Sequence, residues 1–344
     1  MGSAKDVRVI TDPTPTTLGR GQFVFSDRYS IFDWGAMPDT IPNKGAAIAL
    51  TAAWTFEKLK ERGIETHYRG MVGPEGPVFL SELEKPSDTM EVVLTRVLPV
   101  DDDYARYAEE DNNYVLPIEI IFRNGLPKGS SVFRRLAKAS EEEKRTILSK
   151  LGLTSEPKPG DLLSLPLYEF TTKFEPSDRN ITHEEARRIS GLAEQVYSKL
   201  LEMAAEANLV VTVRAREVGL DHWDGKLEAA IYNGAIFLVD VVGTSDENRF
   251  SYKGVQISKE LQRQWYKTNN PEWVAAVSEA KATAKENREL EWRQFCEFDP
   301  VNLPEEVIEL ISDAYMAFTN HYTGKNWFAV PHLDDVVEQV KSLY

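Results

Sequence analysis

Three features of the sequence predict an α+β fold built on antiparallel sheets. The first is the stretch at residues 224–249, DGKLEAAIYNGAIFLVDVVGTSDENR, in which two apolar runs meet at Asn233-Gly234. Both residues tolerate positive φ, which makes Asn-Gly between apolar runs a strong hairpin signal. The second is a set of strand-like apolar segments at 90–98 (MEVVLTRVL), 114–123 (YVLPIEIIFR) and 209–217 (LVVTVRARE). The third is a run of helical signals that dominates the chain after Arg249.

From the N-terminus, Val7-Arg8-Val9-Ile10 precedes a Pro/Thr-rich loop, TDPTPTT, and Leu18-Gly19-Arg20-Gly21-Gln22 leads into a strand at Phe23-Val24-Phe25. Gly19-Arg20-Gly21 offers backbone N–H groups to a phosphate, although two glycines alone read as an ordinary tight turn. A polar loop follows, SDRYSIFDWGAMPDTIPNKG, with Asn43 placed to cap a helix over 44–62. That helix has an apolar stripe of Ile48, Ala52, Phe56 and Leu59 and stops at Gly63. After the 114–123 strand, Arg123-Asn124-Gly125 reads as a turn. Arg123, Lys128, Arg134 and Arg135 then gather around Gly129-Ser130, a grouping suited to carboxylates or phosphate because Arg presents a bidentate fork. Residues 161–180 bring Thr171-Thr172-Lys173 onto a loop with Glu175 and Asp178 behind. Thr182-His183-Glu184-Glu185 is a capping-box start for a helix to about Ala207, before the strand at 209–217. Beyond the hairpin, Ser258 caps a helix to Lys267, Pro271 and Pro304 start two more, and DDVVEQVKSLY is the last. This C-terminal part carries no grouping of charges that suggests chemistry.

The central hairpin carries the strongest chemical signal. Asp224, Lys226 and Glu228 share one face of the first strand, while Asp240 interrupts the apolar run AIFLVDVV. A carboxylate there is costly to desolvate unless paired or bound to a cation. A plain two-residue loop would place Glu228 opposite Val239 and turn Glu228 and Asp240 to opposite faces, and without another bulge it would exclude a shared metal. A three-residue loop with Gly234 in a G1 bulge would place Lys226 opposite Asp240, leaving Glu228 and Asp240 as diagonal neighbours about 7–8 Å apart. The bulged hairpin is therefore expected, with Glu228, Asp240 and Asp224 as ligands for Mg²⁺, which takes carboxylate, phosphate and water oxygens.

Composition bounds the alternatives. The 344 residues can form one large domain or two, and 42% are apolar, which is normal for a soluble chain. A net charge of −15 argues against nucleic acid as a partner. The single cysteine, Cys296, excludes an intrachain disulfide and fits the cytoplasm. No apolar run reaches the ~18 residues of a membrane span. The five histidines, at 67, 183, 222, 321 and 332, have no HExxH spacing and read as structural. There is no Walker A pattern and no GxGxxG.

Several motifs, in order, resemble those of the SAICAR synthetase family, the phosphoribosylaminoimidazole-succinocarboxamide synthases. SDRYSIFDWGAMPDTIPNKG resembles SDRxSxFD…IPxKG; Pro117-Ile118-Glu119 with Arg123-Asn124 and Gly129-Ser130 resembles VExVxRN…GS; Thr172-Lys173 with Asp178 resembles the STK loop. Asp224-Gly225-Lys226-Leu227-Glu228 resembles DxKLEFG, with Ala229-Ala230 in place of Phe-Gly, and SDENR resembles PDxSR at Asp246 and Arg249. For the family's N-terminal GKxKxxY, Gly19 to Phe25 is the nearest counterpart. Either that hairpin is truncated, or Phe23-Val24-Phe25 is its second strand and residues 7–10 rebuild the first.

The resemblance implies a kinase-like or ATP-grasp-like two-lobed architecture. It has an N-terminal β-rich lobe at 1–110, a nucleotide- and substrate-binding lobe at 111–270, and a helical extension at 271–344 packed on the second lobe. It implies an ATP-dependent ligase that joins L-aspartate to carboxyaminoimidazole ribonucleotide (CAIR) to give SAICAR, ADP and phosphate in purine biosynthesis. Lys226, Glu228 and Asp240 would be catalytic. Gly19, Arg20, Gly21 and Lys173, with Glu228 and Asp240, would meet Mg-ATP. Asp27, Arg28, Ser30, Lys44, Arg123, Ser130, Asp178, Asp246 and Arg249 would hold the other substrates. Partners would be small molecules, with room for a homo-oligomer and no membrane. The alternatives are a nucleotide-binding paralogue without ligase activity, or a ligase for another amine donor.

Overall fold

Alternating apolar residues at the N-terminus fold as a hairpin of β1 (Lys5–Thr11) and β2 (Gly19–Phe25), followed by α1 (Lys44–Glu61), β3 (Tyr68–Gly73), β4 (Gly76–Val78) and β5 (Thr89–Leu94). The computed structural model describes residues 4–101, 103–110, 112–175, 178–257, 259–287 and 291–343. The five strands form one antiparallel sheet in the order β1-β2-β5-β3-β4. Residues 7–10 therefore rebuild the first strand of the N-terminal hairpin. Helix α1 buries Ala47, Ile48, Leu50, Ala52, Ala53, Phe56 and Leu59 and stops before Gly63, at φ 74°. Asn43 does not cap it with its side chain. Asp27 does that work, accepting from the backbone N–H groups of Asn43 and Gly45 at 3.3 and 3.0 Å.

The chain continues through α2 (Ala105–Glu109), β6 (Tyr114–Val115), β7 (Ile118–Leu126), α3 (Ser131–Lys138), α4 (Glu141–Lys150), β8 (Asp161–Thr172) and β9 (Asn180–Ile181). Arg123-Asn124-Gly125 is thus not a turn. It lies within β7, and the irregularity takes the form of a register shift against β8. Next come α5 (His183–Ile189) and α6 (Glu194–Glu217). Thr182 caps α5, and a break at Gly191 (φ 66°) separates it from α6. The strand expected at 209–217 is the last part of α6, where Val210, Val211 and Ala215 are buried on one side. The β-branched run gives way because packing against the sheet overrides local propensity.

Strands β10 (Leu220–Tyr232), β11 (Ala235–Val239), β12 (Asn248–Tyr252) and β13 (Val255–Gln256) complete the second sheet, in the order β13-β12-β10-β7-β8-β9, with β11 and β6 also on β10. Strand β10 is the organising element. Its first half lies between β7 and β12, and its second half pairs with β11 and β6. The β11 strand also reaches the N-terminal region, since His67 N–H donates to the Leu238 carbonyl at 2.9 Å and Leu238 N–H to that of Glu65 at 3.0 Å. The two sheets therefore meet where β10 passes from one set of partners to the other.

The helices α7 (Glu260–Asn269), α8 (Pro271–Asn287), α9 (Glu305–Thr323) and α10 (Leu333–Leu343), with a 3₁₀ turn at Trp292–Phe295, close the chain. Ser258, the expected cap of α7, lies outside the described residues. Helix α9 packs along α1: Ser312 Oγ donates to the Pro42 carbonyl at 2.6 Å and Thr319 Oγ1 to that of Ala47 at 3.1 Å. Phe318 and Tyr322 of α9 also pack with tilted rings against Phe250 of β12, within a core that spans both sheets. Trp273 of α8 meets Phe32 and Trp34 edge-on, so the polar loop after β2 is covered. Among the described residues no helix is long and apolar enough to cross a membrane.

Candidate active site

The β10–β11 hairpin has the plain two-residue turn, with Asn233 at φ 50° and Gly234 at φ 73°, and Glu228 pairs with Val239. The expected G1 bulge is absent. A regular ladder would have sent Asp240 to the face opposite Glu228. Instead β11 ends at Val239, and Asp240 takes the left-handed conformation at φ 68°. That single residue re-aims its carboxylate toward the same cavity as Glu228. Aspartate is among the few side chains that tolerate this backbone.

The cavity has a volume of about 540 Å³ and lies between the two sheets. Its apolar lining includes Val7, Val9, Phe23, Val93, Leu94 and Phe174. Its charged lining brings together Lys5, Lys173, Lys226, Glu228, Asp240 and Glu247. Lys5 pairs with Asp240 and Lys173 with Glu228. Lys226 Nζ lies 2.8 Å from Glu119, 3.2 Å from Glu247 and 3.8 Å from Glu228. Burial would lower the Lys226 ammonium, but these three carboxylates outweigh it and hold it well above the ordinary lysine value. Burial raises Glu228, and the neighbouring Asp240 charge adds to this; together they push it up to about 7 against the pull of Lys173. Burial likewise opposes ionisation of Asp240, but Lys5 and Lys173 hold it below the usual carboxylate range. Glu247 is held low in the same way by Lys226 and Lys259.

A second cavity of about 270 Å³ adjoins the first, since Lys226, Glu247 and Lys259 line both. Its lining brings Arg123, Arg249 and Arg263 beside Ser131, together with the carboxylates Asp224, Asp246 and Glu247. Arg249 forms a two-pronged pair with Asp224, and Arg123 reaches Asp224 at 3.3 Å and Glu169 at 2.6 Å. Asp224 is therefore not a metal ligand beside Glu228 and Asp240; it is an anchor for two arginines in the neighbouring cavity. Among the described residues no group of three His, Cys, Asp or Glu side chains is gathered to hold a metal ion. Two oxygen-donor carboxylates remain, and Glu228 is hard to ionise beside Asp240. That imbalance suits a divalent cation that adds phosphate oxygens to its shell.

The other expected residues divide. Gly19, Arg20 and Gly21 form no phosphate loop: they are extended in β2, where Arg20 pairs with Glu91 at 2.8 Å. A Cβ on Gly19 would meet the Thr11 carbonyl at 2.6 Å, and one on Gly21 would meet Leu94 at 2.7 Å, so these glycines serve strand packing. Arg28 pairs with Asp6 at the surface and Asp27 caps α1; neither lines the two cavities, nor does half-buried Ser30. Ser130 caps α3, accepting from Val132 N–H, and its neighbour Ser131 is the one that faces the arginines. Lys44 is fully buried and paired with Asp246 at 2.8 Å. Asp178 sits near Glu119 and Lys226, and partial desolvation with the Glu119 charge pushes its carboxyl up to about 6.

Lys5, Glu247 and Lys259 were not anticipated, and Glu119 was seen only as part of a motif. For Lys5 a signal existed: Gly2 and Lys5 keep the spacing of the first glycine and second lysine in GKxKxxY. His67 lies 3.0 Å by its Nε2 from the Asp240 carbonyl and lines the larger cavity, while His222 is buried in the second sheet. Burial pushes their imidazoles down, to about 3 and about 4, and each is packed against aromatic rings.

The profile of the SAICAR synthetase family matches residues 2–280. The chain belongs to the SAICAR synthetase family. A protein from Archaeoglobus fulgidus, by name a candidate phosphoribosylaminoimidazole-succinocarboxamide synthase, is 39% identical over 345 residues, covering 100% of this chain and 99% of the relative. The solved SAICAR synthase of Saccharomyces cerevisiae, complexed with SAICAR, superimposes with a TM-score of 0.64 at 21% identity, covering 95% of this chain and 94% of that one. A type-2 SAICAR synthetase solved with ADP gives 0.60 at 20% identity, covering 94% and 97%. These two likenesses establish the shared α+β fold.

Proposed function

We propose that the chain is an ATP-dependent ligase that joins L-aspartate to CAIR through an amide, with the two adjoining cavities dividing the substrates. The observation that carries this reading is their junction: Lys226, Glu247 and Lys259 face both the cavity with the apolar residues and the cavity with the arginines. ATP lies in the larger cavity, its base against Val7, Val9, Phe23 and Phe174 and its phosphates toward Lys5, Lys173 and Lys226. Arg123, Arg249, Arg263 and Ser131 hold the anionic groups of the ribonucleotide and of aspartate. Asp178, at the edge near Lys226, orients the incoming substrate.

The chemistry follows from charge. A carboxylate is a poor acyl donor, so its oxygen takes the γ-phosphoryl group of ATP, and ADP leaves. The aspartate amine then attacks the acyl carbon; the C–N bond forms, phosphate departs and the amine loses its proton. Glu228 and Asp240 would hold Mg²⁺, which when bound offsets the negative charge of the phosphates. Lys226, anchored by Glu119 and Glu247, presents a fixed positive charge where charge develops on the transferring group. The same proposal takes the two sheets as lobes meeting over the nucleotide, with division points near residues 110 and 270, in a cytoplasmic enzyme.

The deciding experiment is ADP release from Mg-ATP and CAIR, with and without L-aspartate. Aspartate-dependent release with formation of the amide is expected. Release indifferent to aspartate would point to another amine donor, and no release would overturn the ligase reading. Arg249→Ala is expected to raise KM for CAIR at least about tenfold, the cost of a charge-assisted contact, with KM for ATP nearly unchanged. An equal loss of both would refute the division of the cavities.

A further inference from the structure

The buried pair Lys44–Asp246 has a third member on the C-terminal helix α9. Tyr315 is 4% exposed; its hydroxyl donates to Asp246 Oδ1 at 2.7 Å and accepts from Gln262 Nε2 of α7 at 3.3 Å. Its ring lies 5.5 Å from the Lys44 ammonium. Tyr315 therefore touches both ions of a pair whose side chains are nearly buried, and Asp246 itself lines the arginine-bearing cavity. Asp246 in turn belongs to the turn before β12, which delivers Glu247 and Arg249 to the two cavities. Thr244 accepts from Asn248 N–H at 2.8 Å within that turn, so its backbone moves as a unit. Lys259, 3.8 Å from both Asp246 and Glu247, is held by the same carboxylates. The segment of α9 that supplies Tyr315 lies outside residues 2–280, the part matched by the family profile.

We infer that Tyr315 is a positioning residue for the arginine-lined cavity: by holding Asp246, it sets the turn that aims Arg249, while Glu247 is held separately by Lys226 and Lys259. The C-terminal helices are then part of the site's geometry as well as its scaffold. The assignment of the cavity to the ribonucleotide anion rests on the proposed function; the positioning role rests on the contacts. A hydroxyl-to-carboxylate bond is charge-assisted and oriented, so its removal leaves Asp246 with Lys44 as its near partner and frees the turn to shift.

The test is Tyr315→Phe, which keeps the ring and removes the hydroxyl, beside Tyr322→Phe, a buried tyrosine on the same helix that packs on Trp54 and Phe250 instead. Tyr315→Phe is expected to raise KM for CAIR about five- to tenfold, with kcat and the KM for ATP within about twofold of wild type. Tyr322→Phe is expected to leave all three unchanged. Binding of ribose 5-phosphate, followed by NMR titration, gives a readout independent of turnover: its Kd should rise in Tyr315→Phe while that of ADP does not. Equal changes for ATP and CAIR, or the same effect in Tyr322→Phe, would reduce Tyr315 to a general structural role and overturn the inference. A wild-type protein that binds ribose 5-phosphate without turning over would overturn the proposed function alone. Failure of both ligands to sense Tyr315→Phe would overturn the positioning role alone.

Discussion

Asp240 carries its charge into a buried cavity and uses a left-handed backbone to do so, at φ 68°. Asn shares that backbone tolerance, which makes Asp240→Asn a clean removal of charge. Turnover is expected to fall about 10²–10³-fold, the scale of losing one electrostatic contact to a transferring group, with the circular dichroism spectrum unchanged. Retained activity would remove Asp240 from the phosphate site. Glu228 offers a pH test. Its folded value, pushed up to about 7, lies above the ordinary carboxyl value of 4.5. The folded state thus binds the proton more tightly than the unfolded chain. This contribution to stability is present below 4.5 and is lost as pH rises through about 7. Metal-free Glu228→Gln should therefore gain stability relative to wild type between pH 4.5 and 8, measured by denaturant unfolding at both ends. The opposite slope would mean that Lys173 dominates the pair.

Strand β10 is wedged between β7 and β12, and Gly225 marks the tightest point. A Cβ there would meet Asn248 Oδ1 at 2.1 Å and the Phe122 ring at 2.4 Å. Gly225→Ala must push these neighbours apart, at a cost of about 1–3 kcal/mol, read from the midpoint of urea unfolding. Because Asp224 and Lys226 flank it, CAIR binding should weaken along with stability. An unperturbed midpoint would show that the sheet has slack that the packing does not suggest. Much of this element was legible: the Asn-Gly turn, the face shared by Lys226 and Glu228, and the charge at Asp240 just after β11. The bulge was not needed, because one backbone rotation at Asp240 achieved what a change of register would have done. The 209–217 segment read as a strand from its β-branched residues, yet burial along α6 decided in favour of helix.

Across the whole molecule, Lys44 of α1, Asp246 before β12 and Tyr315 of α9 fasten three distant parts of the chain. Asp246→Asn would leave Lys44 buried without a countercharge, and a loss of about 3–5 kcal/mol is expected on denaturant unfolding. Lys44→Met with Asp246→Leu should recover most of that stability while leaving CAIR turnover impaired. If the single variant is as stable as wild type, the buried pair is not what joins these parts.

The Asn-Gly hairpin, the helix stop at Gly63, the family membership and the candidate residues Lys173, Lys226, Glu228, Asp240 and Arg249 are written in the chain itself. Their signals are local: periodicity, a turn dipeptide, a charge in an apolar run. The break at Gly191 inside the expected 182–207 helix and the order of the strands are not written there. What only the tertiary structure decided is how charges far apart in sequence are shared. Lys5, and not Arg20, meets Asp240, Asp224 pairs with Arg249 and Arg123 away from Glu228 and Asp240, and Tyr315 reaches back to Asp246. Each of these is a choice of partner among side chains separated by up to 235 residues. Local patterns constrain which side of a strand a charge occupies. Which countercharge meets it depends on the packing of the two sheets and α9 around β10, because ion pairing in a desolvated site is set by distance in space.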